Sequence, residues 1–413
     1  MESSKEDRVP AELDEIGIVF PKDWTPISSM IKVVGVGGGG CNAVSYMYSK
    51  GIEGCQFLVC NTDQKTLDRC SVPTQIRIGD GLGAGTRPDV GREHALNSID
   101  RIKDALVDKN TKMVFVTASL GGGTGTGAGP VVAEICRQAG ILTVGVVTLP
   151  FASEGRSTRM KALDGLDAMR SSVDSLIVID NNKLYEHYGS LSLWDAFHKV
   201  DEVLSTAVEG ILGIIEKTGY INVDLNDVQA MMRESGMALM GCGSGSGGSR
   251  VNDAIEAAID SPLLNNYDLK KATKVLVNVT CSASNQGLKM EELSLLESKI
   301  SECLGITDNY KKGIVFDDDP EFGDRLDVTI IATGVDMMGA VPEDYFSEGR
   351  EAYRIPSEMP DPVQETIEPA PAPGEENQDE DTMEEAPTGI MKIVSRIKSE
   401  VAKLYDSMGN EDV

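Results

Sequence analysis

Met113-Val114-Phe115-Val116-Thr117-Ala118-Ser119-Leu120-Gly121-Gly122-Gly123-Thr124-Gly125-Thr126-Gly127 is the stretch on which the reading of this chain turns. The apolar run Met113–Thr117 reads as a buried strand. Gly121–Gly127 places five glycines in seven positions and leaves the backbone N–H groups bare, while Thr124 and Thr126 add hydroxyl donors. A helical pattern follows from near Pro130. A strand, a bare loop and a helix start in that order make a cradle for phosphate, because the first N–H groups of a helix have no partner within it. A flexible hinge would not need this placement.

The same arrangement occurs upstream. Ile31–Val36 reads as a strand, and Gly35-Val36-Gly37-Gly38-Gly39-Gly40-Cys41-Asn42 opens a helix over Asn42–Ser49. Taken by itself this segment also matches the dinucleotide fingerprint GxGxxG, with Asp63 downstream as its acidic residue, and a dehydrogenase fits it equally well. The second glycine run separates the two readings, since a dinucleotide fold has no use for another cradle.

Around these motifs apolar runs at Phe57–Cys60, Leu142–Leu149 and Ser175–Ile179 alternate with helical patterns at Gly91–Leu106 and Pro130–Ala139. Strands apolar throughout and separated by helices predict an α/β fold with a parallel sheet covered on both faces. Residues Trp194–Lys217 form the longest helical pattern, with Phe197, Val200, Leu204, Val208, Ile211 and Ile215 on one face. Beyond this central helix, Asp224–Met240 reads as helix, Gly241–Ser249 as a glycine/serine loop and Asp253–Asp260 as helix. Strands at Lys274–Thr280, Ile314–Phe316 and Leu326–Ala332 flank a helix at Met290–Cys303, which predicts a smaller mixed α/β domain. The expected organisation is a loose extension over 1–30, a nucleotide domain over 31–193, the central helix over 194–217 and the second domain over 218–340.

Composition narrows the function. The 413 residues carry 43 glycines and a net charge of −28. Such acidity disfavours nucleic acid and anionic membranes as partners. Eight cysteines form no CxxC pair and only three histidines occur, so a thiolate–imidazole metal site is not expected. The first fifteen residues are polar and acidic, unlike a signal peptide, and no apolar run reaches membrane-spanning length; a reduced cytosolic protein is expected. Residues 341–389 hold 15 acidic residues against Arg350 and Arg354, with 8 of the 17 prolines, and predict disorder. After them Ile390, Ile393, Val394, Ile397, Val401 and Leu404 share one face of a predicted amphipathic helix within 390–413. A flexible tether suits partner docking better than packing on the body.

Gly121–Gly127 resembles the GGGTGTG signature of the tubulin/FtsZ family of GTPases. Gly35–Asn42, Asn61-Thr62-Asp63, Leu82–Pro88, Pro150-Phe151 and Glu154-Gly155 resemble that family's nucleotide loops in the same order, and the likeness runs from about Ile31 to Val335. The resemblance implies a tubulin-like fold, GTP and GDP as ligands, Mg2+ carried with the nucleotide, and a homopolymer built head to tail. It implies nucleotide contacts from Gly37, Gly38, Gly39, Cys41 and Asn42, from Asn61 and Asp63, and from Gly85 and Thr86. It adds Gly121, Gly122, Gly123, Thr124, Gly125, Thr126 and Gly127, and near the ribose Pro150 and Glu154. Thr158 stands where the family carries an arginine, so Arg156 or Arg159 is expected to substitute. Asn181, Phe197 and Asp201 fall at the guanine position. A phenylalanine can stack on the base, and a carboxylate can accept from guanine N1–H and its amino group, which adenine cannot offer. Without the resemblance a core phenylalanine and a solvated aspartate explain this pair.

Asn222-Val223-Asp224-Leu225-Asn226-Asp227 resembles the family's catalytic loop, which acts on the nucleotide of the adjacent subunit. Asp224, Asp227 and Asn222 are therefore the expected catalytic residues, although Asp224 is also a good helix cap. GxxxxGK[ST] is absent, and Tyr185 replaces the aspartate of an NKxD motif after Asn182-Lys183. The family's usual C-terminal peptide is missing too: Ile355-Pro356 is followed by Ser357-Glu358. The helix Ile390–Tyr405 is expected to take its place in docking membrane-tethering and regulatory division proteins. The cellular expectation is a division filament at mid-cell, with plasmid segregation or shape control, and a polymer without hydrolysis, as other readings.

Overall fold

The computed structural model describes residues 18–19, 30–183, 192–216, 219–221, 223–261, 264, 272–283, 287–304, 309–317, 319 and 322–335. These belong to one compact unit. The expected disorder of 341–389, the helix of 390–413 and nearly all of the N-terminal extension lie outside the described residues.

Parallel strands β2 (Ile31–Val36), β3 (Gln56–Asn61), β4 (Thr74–Arg77), β5 (Met113–Ser119), β6 (Leu142–Leu149) and β7 (Ser175–Asp180) build the first half, in the order β4-β3-β2-β5-β6-β7. β1 (Ile18–Val19) joins the β4 edge antiparallel. All of β2 and β6 is buried, which is why these strands read as unbroken apolar runs. Helix α1 (Gly37–Ser49) carries the chain from β2 to β3 on one side, whereas β5 takes β2's other side and β6 and β7 continue outward. The strand order thus reverses between β2 and β5. An open α/β sheet leaves a crevice beyond the carboxyl ends of its strands at such a point. Gly35 pairs with Thr117 and Val36 with Ala118, so both glycine runs leave the sheet side by side at this crevice.

The helices that matter next are α2 (Gln64–Arg69), α3 (Pro88–Leu96), α4 (Ile99–Leu106), α5 (Thr124–Gln138) and α6 (Arg156–Ser172). The central helix is α7, Leu193–Glu216. It buries Val200, Leu204, Ala207, Val208 and Ile211 in one core with Val44 and Met47 of α1. Each of these side chains larger than alanine contributes about 1.5–3 kcal/mol on burial.

The second half continues the sheet through β9 (Gly236–Gly245), parallel to β7, then β12 (Leu326–Val335), β10 (Lys274–Ser282), β11 (Asn309–Asp317) and the edge strand β8 (Gly219–Ile221). Helix α8 (Leu225–Met232) follows β8. Helices α9 (Arg250–Ile259) and α10 (Met290–Leu304) pack Ala254, Ile255, Leu296 and Ile300 against Val277 and Val328. Arg250 pins α9 to Glu292 of α10 at 2.6 Å.

Several sequence expectations need correction. Asp224–Met240 is helical only to Met232, and of the expected loop Gly241–Ser249 the first five residues, Gly241–Gly245, are the second part of strand β9, while Gly247–Ser249 forms a short 3-10 turn. A Cβ at Gly241, Gly243 or Gly245 would meet the backbone oxygen of Ala258, Ala254 or Arg250 at 2.2, 2.1 and 2.1 Å. These alternating glycines make a smooth face for α9 to lie on, and are not a flexible segment. Gly91–Leu106 is two helices broken at Asn97 and Ser98. α5 starts at Thr124 rather than near Pro130, and α1 at Gly37 rather than Asn42, because Thr124–Gly127 and Gly37–Gly40 are themselves first helical turns.

Candidate functional site

A cleft of about 630 Å³ opens at the switch point. Gly38, Gly39 and Asn42 of α1 line it on one side, and Gly122, Gly123, Thr124 and Gly125 around the start of α5 on the other. Neither helix has a side chain capping its N-terminus. Two uncapped helix starts, each with its positive dipole end, thus converge on one space, which suits a polyphosphate.

The glycines fall into two kinds. A Cβ on Gly39 would lie 2.0 Å from Ser119 Oγ, one on Gly125 2.5 Å from Ser119 O, and one on Gly127 1.9 Å from Pro88 O. These positions are glycine so that the two loops and α3 can pack. Around Gly38, Gly85 and Gly122 a Cβ would meet nothing within 4 Å. They line the cleft, and there a side chain would take up room that a ligand needs.

The other end of the cleft is formed by Asn181 and by Val200 and Asp201 of α7, with Pro150 and Glu154 at its rim. Asn181 is 8% exposed, and its Oδ1 finds no hydrogen-bond partner among the described residues. Burial pushes the Asp201 carboxyl up to about 6, with His198 partly opposing it. An acceptor oxygen and a poorly solvated carboxylate lining one cleft match a ligand edge rich in N–H donors, such as guanine N1 and N2. Phe197 lies one turn earlier in α7, and its side chain is outside the described residues.

Other expected contacts sit around the cleft without lining it. Cys41 lies beneath its floor, with Sγ 3.8 Å from Gly35 O and 3.9 Å from Cys60 O. The Thr126 hydroxyl accepts the Gly121 N–H at 2.9 Å and so folds the turn. Gly37 is packed against Gly125, and Gly121 against Thr158. Thr86, in a left-handed conformation at φ 59°, gives its carbonyl to Lys161 at 2.9 Å. Arg156 and Arg159 open α6 beside Glu154, but neither lines the cleft. Asn61 and Asp63 do line it. Asp63 also caps α2, accepting from Lys65 N and Thr66 Oγ1 at 3.0 and 2.9 Å.

Sequence reasoning missed Thr62, Ser119, Thr148 and Val200, all lining the cleft. Thr62 and Thr124 share a 2.6 Å hydroxyl contact, and Thr148 Oγ1 donates to Ser119 Oγ at 2.9 Å. Each lies within two residues of an expected contact in the chain, so adjacency was the available signal.

The acidic turn is elsewhere. Asp224 caps α8: its Oδ1 accepts the Asp227 N–H at 2.8 Å, and Asp227 Oδ2 accepts the Asp224 N–H at 3.2 Å. Asp227 Oδ1 also accepts from Lys311 Nζ at 2.9 Å. The Lys311 ammonium holds the Asp227 carboxyl below the usual carboxylate range, against a smaller opposing effect of burial. Lys311 is 84 residues away, and nothing in the sequence marked it. Asn222 is outside the described residues. Farther along, Gln229 Nε2 donates to Lys112 O at 3.2 Å and an Arg233 Nη to Gly140 O at 3.1 Å. Lys112 and Gly140 come just before β5 and β6. α8 therefore sits at the amino ends of the parallel strands, and the cleft at their carboxyl ends. β5 alone has seven residues, about 23 Å of strand.

Comparison with known proteins agrees with this geometry. Residues 30–189 match the model of the Tubulin/FtsZ family, GTPase domain, and residues 236–336 that of the FtsZ family, C-terminal domain. A Pseudomonas putida protein named Cell division protein FtsZ is 43% identical over 82% of this chain and 85% of its own. One of the same name from Porphyromonas gingivalis is 44% identical over 75% and 67%. The solved structure described as an empty FtsZ dimer of M. jannaschii superposes with a TM-score of 0.67 at 40% identity, covering 74% of this chain and 88% of that one. With both family models in register with the two halves of the sheet, and relatives this similar over most of their length, the chain belongs to the FtsZ family of tubulin-like GTPases.

Proposed function

We propose that this protein binds GTP in the switch-point cleft and polymerises head to tail. Asp224 and Asp227 of one subunit then hydrolyse the nucleotide held by the next. The observation that carries the reading is the separation of the two parts: the cleft opens at one end of the parallel strands and the acids project at the other. Acids fixed by a cap cannot reach their own subunit's cleft. A contact that joins opposite faces of identical subunits does not close on itself and grows into a filament.

The phosphates rest on the first turns of α1 and α5, and guanine lies between Asn181 and Asp201 with Phe197 stacked on it. Mg2+ supplies charge neutralisation on the phosphate oxygens. The hydroxyls of Ser119 and Thr124 and the amides of Asn42 and Asn61 form a neutral surround suited to a hydrated ion that comes in with its nucleotide. Across the interface, Asp224 and Asp227, with Asn222 in the same turn, orient the attacking water and draw off its proton as it adds to the γ-phosphorus. Loss of the γ-phosphate removes a group that spans the contact, so hydrolysis loosens the filament.

The relatives' common name supports a role in cell division, with the filament in the cytoplasm at the division site. Residues 390–413 serve as the docking peptide for a membrane tether. Deleting them removes tether binding and leaves GTP turnover intact.

The deciding experiment measures phosphate release against protein concentration, with Asp227→Ala alongside. A threshold concentration is expected, and the variant binds GTP but turns it over at least about 100-fold more slowly. A rate proportional to concentration from zero upward contradicts the shared site.

A further inference from the structure

We propose that Lys311 is a positioning residue of the acidic turn: it fixes the Asp227 carboxylate in the orientation in which it meets the adjacent subunit's nucleotide. The inference rests on the head-to-tail reading above.

Lys311 is the third residue of β11, the strand that pairs with edge strand β8, which leads into the acidic turn. Its ammonium lies 2.9 Å from Asp227 Oδ1, while Oδ2 is held by the Asp224 N–H. The capping box alone would hold Asp227 through one oxygen and leave the carboxylate free to swing about its terminal bond. With Lys311 in place both oxygens are engaged, one from the helix and one from the sheet, and the group is locked between two rigid elements.

The pair is half-exposed, at 42% and 32% of the two side chains. Ion pairs of that kind contribute little to stability. What Lys311 does contribute is orientation and charge. Asp224 and Asp227 must approach a triphosphate that is itself strongly anionic, and one fixed cation takes the tip from two net negative charges to one. Among the described residues, the charged groups that act on Asp227 are Asp224 from the cap and Lys311 from β11. Lys274 of β10 is bound farther along, at Ala230 O. Removing Lys311 leaves Asp227 beside Asp224 with no cation, which makes its proton harder to remove.

The test uses the full chain carrying Lys311→Met or Lys311→Arg, with Asp227→Ala as reference. GTP affinity, polymer mass with a slowly hydrolysed GTP analogue, and turnover per polymerised subunit are measured across pH. For Lys311→Met we expect unchanged affinity and polymer mass. Turnover falls about tenfold, as for a mis-set catalytic group, and the acid limb of the pH profile moves to higher pH. Lys311→Arg restores both. A merely structural lysine would not move the acid limb. Turnover and limb both unchanged in Lys311→Met, with Asp227→Ala inactive, overturns this proposal alone. Normal turnover in Asp227→Ala overturns the reading it rests on. If Lys311→Met fails to bind GTP, Lys311→Gln, close in length and polarity, is judged by the same criteria.

Discussion

The Cβ that Gly37 lacks would stand 2.6 Å from the backbone nitrogen of Gly125. The two glycine runs, nearly ninety residues apart in the chain, therefore touch each other through their backbones. Strand pairing of β2 with β5 brings them to the same edge, and the missing side chains let α1 and α5 close in until both helix starts face one cleft. The cradle proposed for the phosphates is thus a property of the pair and neither run forms it alone.

The division of labour among the glycines gives opposite expectations for two neighbours. Gly37 has φ 77° and the close contact just described, so Gly37→Ala destabilises the fold by about 1–3 kcal/mol. Gly38 sits inside α1 with open space around it, so Gly38→Ala leaves the melting temperature unchanged or raises it, by up to ~1 kcal/mol in stability. It nevertheless weakens GTP binding about tenfold or more, because the methyl enters the phosphate space. Thermal denaturation and nucleotide titration of both variants check this. Full GTP affinity in a folded Gly38→Ala protein would remove the phosphates from this turn.

With guanine read at Asp201, as proposed, this residue sets a pH limit on nucleotide binding. Burial raises its carboxyl to about 6, so it is mainly ionised at neutral pH and accepts from guanine. As pH falls through about 6 the proton is taken up, the acceptor is lost and affinity drops. For the empty protein the sign is the reverse. A raised carboxyl pKa gives stability that is complete below the unfolded value near 4 and is lost as pH rises through about 6. Asp201→Asn removes the limit and changes the base preference. An amide offers one acceptor and one donor, which fits xanthine N1–H and O2 and leaves the guanine amino group facing a donor. Guanine affinity falls roughly 10- to 100-fold, and xanthosine triphosphate binds in its place; calorimetry with both nucleotides reads the exchange.

Much of this was legible because it depends on local pattern. The buried strands show as apolar runs, and a glycine run after a strand has few other uses. Asp224 could be read both as cap and as acid, and the structure shows it as a cap. Strand β9 was illegible for a related reason: its glycines are demanded by a helix that lies across it, a tertiary contact with no local signal except the alternation Gly241, Gly243, Gly245. Lys311 was illegible altogether, since only the pairing of β11 beside β8 brings it to Asp227. Asn181 shows the middle case, recognisable by its order among the motifs but not by its chemistry until its side-chain oxygen is seen buried and without a partner among the described residues.

At the opposite end of β2, Lys32 is buried, and its ammonium lies 2.6 Å from Asp108 and 2.9 Å from Ala105 O. Burial pushes the Asp108 carboxyl up, but Lys32 and the Thr111 and Asn110 N–H groups outweigh it and hold it at about 2. A depressed carboxyl stabilises the fold above its unfolded pKa near 4, and that stability is lost as pH falls toward 2. Asp108→Asn keeps an acceptor oxygen but leaves the buried ammonium without its counter-charge. Discounting for the half-exposed aspartate, the cost is about 1–2 kcal/mol at pH 7 and disappears near pH 2. Urea melts of the two proteins at both pH values measure it.

The shared site itself can be tested by complementation. Asp201→Asn subunits keep their acids but hold GTP poorly, whereas Asp227→Ala subunits hold GTP but lack an acid. Neither alone should release phosphate from GTP at an appreciable rate. Mixed in equal amounts with a non-hydrolysable xanthosine triphosphate analogue present to fill the altered clefts, they should copolymerise. At random head-to-tail contacts, about a quarter pair an intact cleft with intact acids, so turnover should recover to about a quarter of the parent's. An enzyme whose acids served their own cleft would stay silent in the mixture, because every subunit lacks one half of its site. Recovery therefore requires that the carboxylates proposed as catalytic cross from one molecule to the next, as expected from the placement of Asp227 at the far end of the strands from Asp201.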